Sequence, residues 1–264
     1  MAKQRISMVV FDWAGTTVDY ASSAPAKVFD EVFSRHGMDL TPAEINGPMG
    51  MEKKAHIRSL LSLPSATSQF RARCGRDPSE EDVDSLYGEF EGTLAEVVGG
   101  CSSTIPGAVD AVRSLRSMGL KIGSTTGYTS EIMQKVLPVA KKAGYEPDCV
   151  VTPDVAGSGR PGPFMIFECM RKLGVYPPSS VVKVGDTAVD MAEGKNAGAI
   201  SVGILDGSNM LGLSEEEARE MDENELERRK AEATTRYLDA GADYVLGSIR
   251  ELPGLIEELN RKAN

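Results

Sequence analysis

A chain of 264 residues, 41% hydrophobic and 26% charged, is long enough to bury a sizeable core as one large domain or two smaller ones. Its 29 Lys and Arg against 39 Asp and Glu leave a net charge of −10, which argues against a general nucleic-acid binder, because phosphate backbones require clustered cations. Two histidines exclude a His-rich metal site, and four widely spaced cysteines argue against a disulfide scaffold or a thiolate zinc site.

In chain order, the N-terminal apolar stretch is too short for a signal peptide. No later run approaches the roughly 20 apolar residues of a membrane span, so a cytoplasmic, reduced setting with no membrane partner is expected. Ile6–Phe11 is apolar, rich in β-branched residues and ends in Asp12. Such continuous apolar runs read as buried parallel strands, and they recur at Leu120–Thr125, Cys149–Thr152, Val181–Val184, Ala199–Ile204 and, more weakly, Asp243–Leu246. Helical patterns alternate with them at Ala108–Met118, Ser130–Ala143, Phe164–Leu173, Ala188–Ala197 and Ile249–Lys262. This alternation predicts an α/β fold, a Rossmann-like parallel sheet with helices on both faces.

Residues 22–99 break the rhythm. They hold no convincing strand but helical patterns at Pro25–Arg35, Pro42–Ile45, Met51–Leu61 and Glu80–Val98. The expectation is an all-helical cap domain at 22–99, inserted into a core made of 1–21 and 100–264. The charged stretch Ser214–Arg236 reads as a solvated helical excursion.

In open α/β sheets, ligands bind beyond the carboxyl ends of the strands. Four such ends carry polar groups here: Asp12-Trp13-Ala14-Gly15-Thr16-Thr17, Ser124-Thr125-Thr126-Gly127, Arg160-Pro161, and Gly185-Asp186-Thr187 with Asp190. An aspartate, a Thr-Gly loop, a cation and an acidic pair on one edge suit phosphoryl transfer. One carboxylate can attack phosphorus while another holds a hard cation such as Mg²⁺. Loop N–H groups, hydroxyls and the guanidinium would neutralise the transferring oxygens.

These elements, in this order and with a helical insert after the first strand, resemble the haloacid dehalogenase-like hydrolase superfamily. Phosphatases of that superfamily carry a second aspartate two positions after the nucleophile as general acid. Here that position is Ala14, which donates no proton. Lys53 offers another activation. A desolvated lysine amine condenses with a carbonyl, and the protonated imine is an electron sink that helps break a carbon–phosphorus bond beside an aldehyde. A helix running from about Met49 places Met49, Lys53 and His56 near one face, with Lys54 turned about 100° away.

The stretches Phe11–Tyr20, Pro48-Met49-Gly50, Lys53, His56, Lys121–Thr129 and Val184–Thr187 are together similar to the phosphonatase branch of that superfamily. The resemblance implies hydrolysis of phosphonoacetaldehyde to acetaldehyde and phosphate, in 2-aminoethylphosphonate degradation downstream of a transaminase. It implies Asp12 as nucleophile and Lys53 as imine former. Mg²⁺ would be held by Asp12, the Ala14 carbonyl, Asp186 and, through water, Asp190. Thr126, Gly127 and Arg160 would hold the phosphoryl oxygens, while Met49, Gly50, His56 and Tyr128 would shape the aldehyde side. Ser22 stands where related sequences have a cysteine. A homodimer is implied as well. Two alternatives remain open at this point: a phosphate-monoester phosphatase or sugar phosphomutase of the same superfamily, and a non-catalytic phosphometabolite-binding protein.

Overall fold

The computed structural model describes residues 5–263. Its strands are β1 (Met8–Phe11), β2 (Lys121–Thr125), β3 (Cys149–Val151), β4 (Val181–Gly185), β5 (Ile200–Ile204) and β6 (Tyr244–Leu246), each within two residues of its predicted bounds. They form one six-stranded sheet in the order β3-β2-β1-β4-β5-β6, and every pairing is parallel. Side chains alternate across it, as the period of two requires. Met8 and Val10 pack with Val151, Met165 and Ile166 on one face. Val9 and Phe11 pack with Val112, Leu115, Leu252 and Ile256 on the other.

The helices are α1 (Ser23–Arg35), α2 (Pro42–Asn46), α3 (Lys53–Leu61), α4 (Pro64–Cys74), α5 (Glu80–Val97), α6 (Ala108–Ser117), α7 (Ser130–Lys142), α8 (Pro153–Ala156), α9 (Phe164–Leu173), α10 (Ala188–Ala197), α11 (Glu215–Glu220), α12 (Glu223–Asp239) and α13 (Leu252–Arg261). The α/β class expected from the sequence is therefore the observed one. Helices α1 to α5 make up an insert between β1 and β2, and no strand lies among them. α5 starts at a Ser79–Asp82 capping box and buries Val83, Leu86, Phe90 and Leu94 along one face. α1 and α3 pack on it, with Phe29 and Phe90 stacked at 4.2 Å between centroids. Among the described residues no helix is long and apolar enough to cross a membrane.

Several elements differ from the sequence reading, among them α8, a single turn of helix after β3 that is too short to show a period. α3 begins at Lys53 rather than near Met49 or Met51, because Gly50 takes φ +90° and Glu52 is the N-cap. Met49 therefore sits in a turn and not on the helix. α4 was not predicted: its segment is polar and buries only Ala66 and Phe70, too few residues for a period. The Ser214–Arg236 excursion is two helices, since Asp222 leaves helical geometry and caps α12 through Asn224 and Glu225 N–H groups. Ile249–Lys262 opens with a separate tight turn at Ile249–Glu251 before α13.

The topology decides where chemistry can happen. The connections from β1 proceed one way to β2 and β3, and the chain then returns to β4 on the other side. This reversal opens a crevice at the carboxyl ends of β1 and β4. Asp12 follows β1 and Asp186 follows β4, and the Asp12 N–H donates to Val184 O across the ladder at 2.9 Å.

Candidate active site

Three carboxylates converge in that crevice. Asp12, Asp186 and Asp190 each present an oxygen within 4.8 Å of the others, and all three are buried. Asp190 is placed by the start of α10, where Thr187 donates to its Oδ2 at 2.6 Å in a capping box. Burial alone would raise its pKa, but Arg160 and Lys183 outweigh that and hold it below the ordinary carboxylate value. Asp186 differs. It accepts from Asn209 N–H at 2.9 Å, Thr16 Oγ1 at 3.3 Å and Ser22 Oγ at 3.4 Å, and it makes no ion pair among the described residues. Burial, then Asp12 and Asp190, push it well above the usual carboxylate range. A buried carboxylate with no counter-cation, beside two more oxygen donors, fits a hard divalent cation. The turn after β1 also leaves the Ala14 carbonyl outside its bonding: Gly15 N–H bonds Val18 O and Val18 N–H bonds Trp13 O.

The opposing positive charge comes from two side chains. Arg160 Nη2 lies 2.6 Å from Asp12 Oδ1, Nη1 lies 3.0 Å from Asp190, and Nε lies 2.9 Å from Glu193 Oε2. Its Nη2 also donates to Thr125 Oγ1 at 2.8 Å. Lys183, fully buried on β4, stands 2.9 Å from Asp190 and 3.0 Å from Glu193, and donates to the same Thr125 hydroxyl at 2.9 Å. Burial raises the Asp12 pKa against the Arg160 charge, so the carboxylate depends on its cations to stay ionised.

The insert supplies the other wall. Lys53, the first residue of α3, is buried with its Nζ 3.8 Å from Met49 Sδ and 5.4 Å from the Tyr128 ring centroid. It makes no ion pair among the described residues, and burial pushes its amine down to about 8. Lys54, its neighbour, pairs instead with Asp84 toward solvent. His56 lies behind Lys53: its Nε2 meets Ile45 O at 2.9 Å and its ring lies 3.9 Å from that of Phe29. Burial, then the Lys53 charge, hold it well below the ordinary imidazole value, so it is neutral. Two glycines let the insert's backbone descend onto the sheet edge. A Cβ on Gly50 would fall 2.3 Å from Thr187 Oγ1, and one on Gly127 would fall 2.5 Å from the Met51 carbonyl oxygen.

A cavity of about 20 Å³ lies between these walls. Asp12, Ala14, Met49, Gly50, Lys53, Thr126, Gly127, Tyr128, Arg160 and Asp186 all line it. His56 and Asp190 do not: one stands behind the lysine, the other beneath the arginine. Ser22, Pro25 and Thr187 line it as well. The sequence reading passed over Lys183, Glu193 and Asn209, and it gave Thr125 no role apart from its place in the Thr-Gly loop. A lysine inside the apolar run Val181–Gly185 was the available signal, since a buried ammonium requires carboxylate partners.

Residues 6–198 match the family model described as haloacid dehalogenase-like hydrolase. The chain belongs to that family. Within the haloacid dehalogenase-like hydrolases it is 44% identical, over 98% of both chains, to the phosphonoacetaldehyde hydrolase of Bacillus cytotoxicus. It is also 44% identical over 98% of its own length to a bifunctional phosphonoacetaldehyde hydrolase/aminoethylphosphonate transaminase of Clostridioides difficile, of which it covers 41%. In structure it superposes on a phosphonoacetaldehyde hydrolase like protein from Oleispira antarctica with a TM-score of 0.96, at 33% identity, covering 100% of this chain and 95% of that one.

Proposed function

We propose that this chain hydrolyses the carbon–phosphorus bond of phosphonoacetaldehyde, giving acetaldehyde and phosphate. One observation carries the reading. A desolvated lysine with no carboxylate partner among the described residues shares a cavity with Asp12, and the general-acid position beside that aspartate is Ala14. The named relatives support it. The transaminase fused to the Clostridioides difficile relative supports a place in 2-aminoethylphosphonate degradation.

In the proposed mechanism residues 22–99 act as a cap over a core of 1–21 and 100–264. The neutral Lys53 amine adds to the aldehyde, and the carbinolamine takes up a proton from solvent and loses water, leaving a protonated imine. Asp12 attacks phosphorus, and the electrons of the breaking carbon–phosphorus bond move to carbon as the enamine. No oxyanion departs, so no acid is needed at position 14. The enamine is protonated at carbon and the imine is hydrolysed to acetaldehyde, while water cleaves the aspartyl phosphate. Arg160, Thr126 and the Gly127 N–H neutralise the phosphoryl oxygens. Met49, Gly50 and Tyr128 enclose the imine, and neutral His56 backs the lysine without adding charge. Asp12, Asp186, the Ala14 carbonyl and, through water, Asp190 would hold Mg²⁺, which screens the charge between nucleophile and phosphoryl group. The four free thiols suit a reducing cytoplasm, and a homodimer completes the proposal.

Release of phosphate and acetaldehyde from phosphonoacetaldehyde, with Mg²⁺ and with chelator, tests it. Equal release of both products, lost on chelation, is expected. Turnover of phosphate esters in its place would support an ordinary phosphatase or phosphomutase, and ligand-induced stabilisation with no product a binding protein.

A further inference from the structure

The cavity between the insert and the sheet edge, about 20 Å³, has space for about one water as it stands. On the cap-and-core reading proposed above, the cap must part for entry and return for chemistry. Few side-chain hydrogen bonds hold the seam, and two of them lie at the reacting groups themselves: Ser22 Oγ donates to Asp186 at 3.4 Å and Arg160 Nη1 to the Gly50 carbonyl at 3.5 Å. From α5, Glu91 accepts from Thr129 at 3.1 Å and the Ala95 carbonyl from Lys135 at 3.0 Å. From α2, its last residue Asn46 accepts from Asn209 Nδ2 at 2.9 Å.

Of the seam contacts made away from the reacting groups, the Asn46–Asn209 pair differs in what its core partner also does. Asn209 is 7% exposed in the loop after β5, and its backbone N–H is the 2.9 Å donor to Asp186. The next residue, Met210, donates its N–H to the Asp186 carbonyl at 3.3 Å. One short loop thus grips the cap with a side chain and, with its main chain, the Asp186 carboxylate that makes no ion pair among the described residues. Beside the pair lies a second cavity of about 270 Å³, lined in part by Asn46, Asn209, Met210 and Arg236. Met49 and Thr187 border both cavities. The amide pair therefore stands where the cap meets the core between an outer vestibule and the reacting groups.

We propose that Asn209 is a positioning residue that couples cap closure to Asp186. Its amide engages Asn46 when the cap is down, and this contact fixes the loop whose Asn209 N–H orients the Asp186 carboxylate and whose Met210 N–H holds the Asp186 main chain. The backbone donors to Asp186 persist in any side-chain variant, so only the fixation is lost on truncation. Asn46 touches no core carboxylate, which makes it the informative site to change.

The test uses Asn46→Ala, Asn209→Ala, the double variant and Asn46→Asp, the last of which keeps an acceptor for Asn209 Nδ2. Calorimetric titration with Mg²⁺ alone should show Asn46→Ala and Asn209→Ala each binding about 2- to 10-fold more weakly, the worth of one hydrogen bond. Amide exchange of residues 206–211 should quicken in both single Ala variants. The double variant should be no worse than the weaker single one, and Asn46→Asp should restore both readouts. Unchanged metal affinity and exchange in Asn46→Ala, or an additive double variant, would overturn the coupling. Asn46 is half-buried at a helix end, so its Ala variant threatens no core packing. If wild-type protein fails to cleave phosphonoacetaldehyde, the proposed function falls, while metal affinity and exchange still decide the coupling.

Discussion

Arg160 approaches Asp12 to 2.6 Å with one terminal nitrogen while Glu193 holds its Nε from behind at 2.9 Å. The guanidinium plane is thereby fixed before any phosphoryl group arrives, and its Asp12 contact is the one a phosphoryl oxygen would take over. Arg160→Lys keeps a charge but cannot reach Asp12, Asp190 and Glu193 together. Its kcat/KM should fall by about 10²–10³, or roughly 2.7–4 kcal/mol of transition-state stabilisation. Steady-state kinetics checks this, and a near-wild-type Arg160→Lys would remove the arginine from the reaction.

Lys53 carries a folding penalty. Its folded pKa, near 8, lies below its unfolded value of 10.5, so the unfolded chain binds more protons between those limits and stability rises with pH across them. Lys53→Met should therefore be inactive yet more stable at pH 7, by about 1–3 kcal/mol, with the advantage fading as pH passes 8 toward 10.5. Urea melts at several pH values measure this. The same amine predicts a kcat/KM that climbs with pH toward a limb near 8. Borohydride reduction in the presence of substrate should label Lys53 and spare Lys54.

Asp186 shows the opposite linkage. Its folded pKa is raised, so its contribution is complete at low pH and is lost as pH rises through that raised value. Divalent metal binds the ionised form. The gain in Tm on adding Mg²⁺ should accordingly be larger at pH 8 than at pH 5, approaching about 2.7 kcal/mol of stabilisation at a hundredfold excess over Kd. Thermal melts with and without metal at the two pH values decide it, and an equal gain at both would contradict the assignment.

Gly50→Ala forces a Cβ to within 2.3 Å of Thr187 Oγ1 at a φ of +90°. The strain, about 1–3 kcal/mol, falls on the seam rather than on either core. Activity should drop at least about tenfold while the Tm moves by only a few degrees. Kinetics beside a melting curve separates the two effects.

Much of this arrangement was legible in the sequence because the apolar runs of β1 and β4 give way at their carboxyl ends to acidic residues. Asp12 and Asp186 are such residues, and the parallel order then brings their strands side by side. The insert was legible by its lack of strands. What escaped was whatever depends on packing across elements. Glu193 sits in α10 as an ordinary helical glutamate, and only the sheet beneath shows that it faces Lys183 and Arg160. Met49 was placed on the wrong element, although its sulfur still meets Lys53, because a turn at Gly50 bends it back. α4 left no pattern because Phe70 is nearly alone in anchoring it.

The start of α3 at Lys53 has an electrical meaning. A cation on the first residue of a helix faces the positive pole of the summed peptide dipoles, which disfavours the ammonium form by about 0.3–1 kcal/mol. Gly50, in ending the preceding turn, sets where that pole falls. An insert whose helix began one turn earlier would hold the same lysine in the same cavity, but as a more basic amine with less of it free at neutral pH.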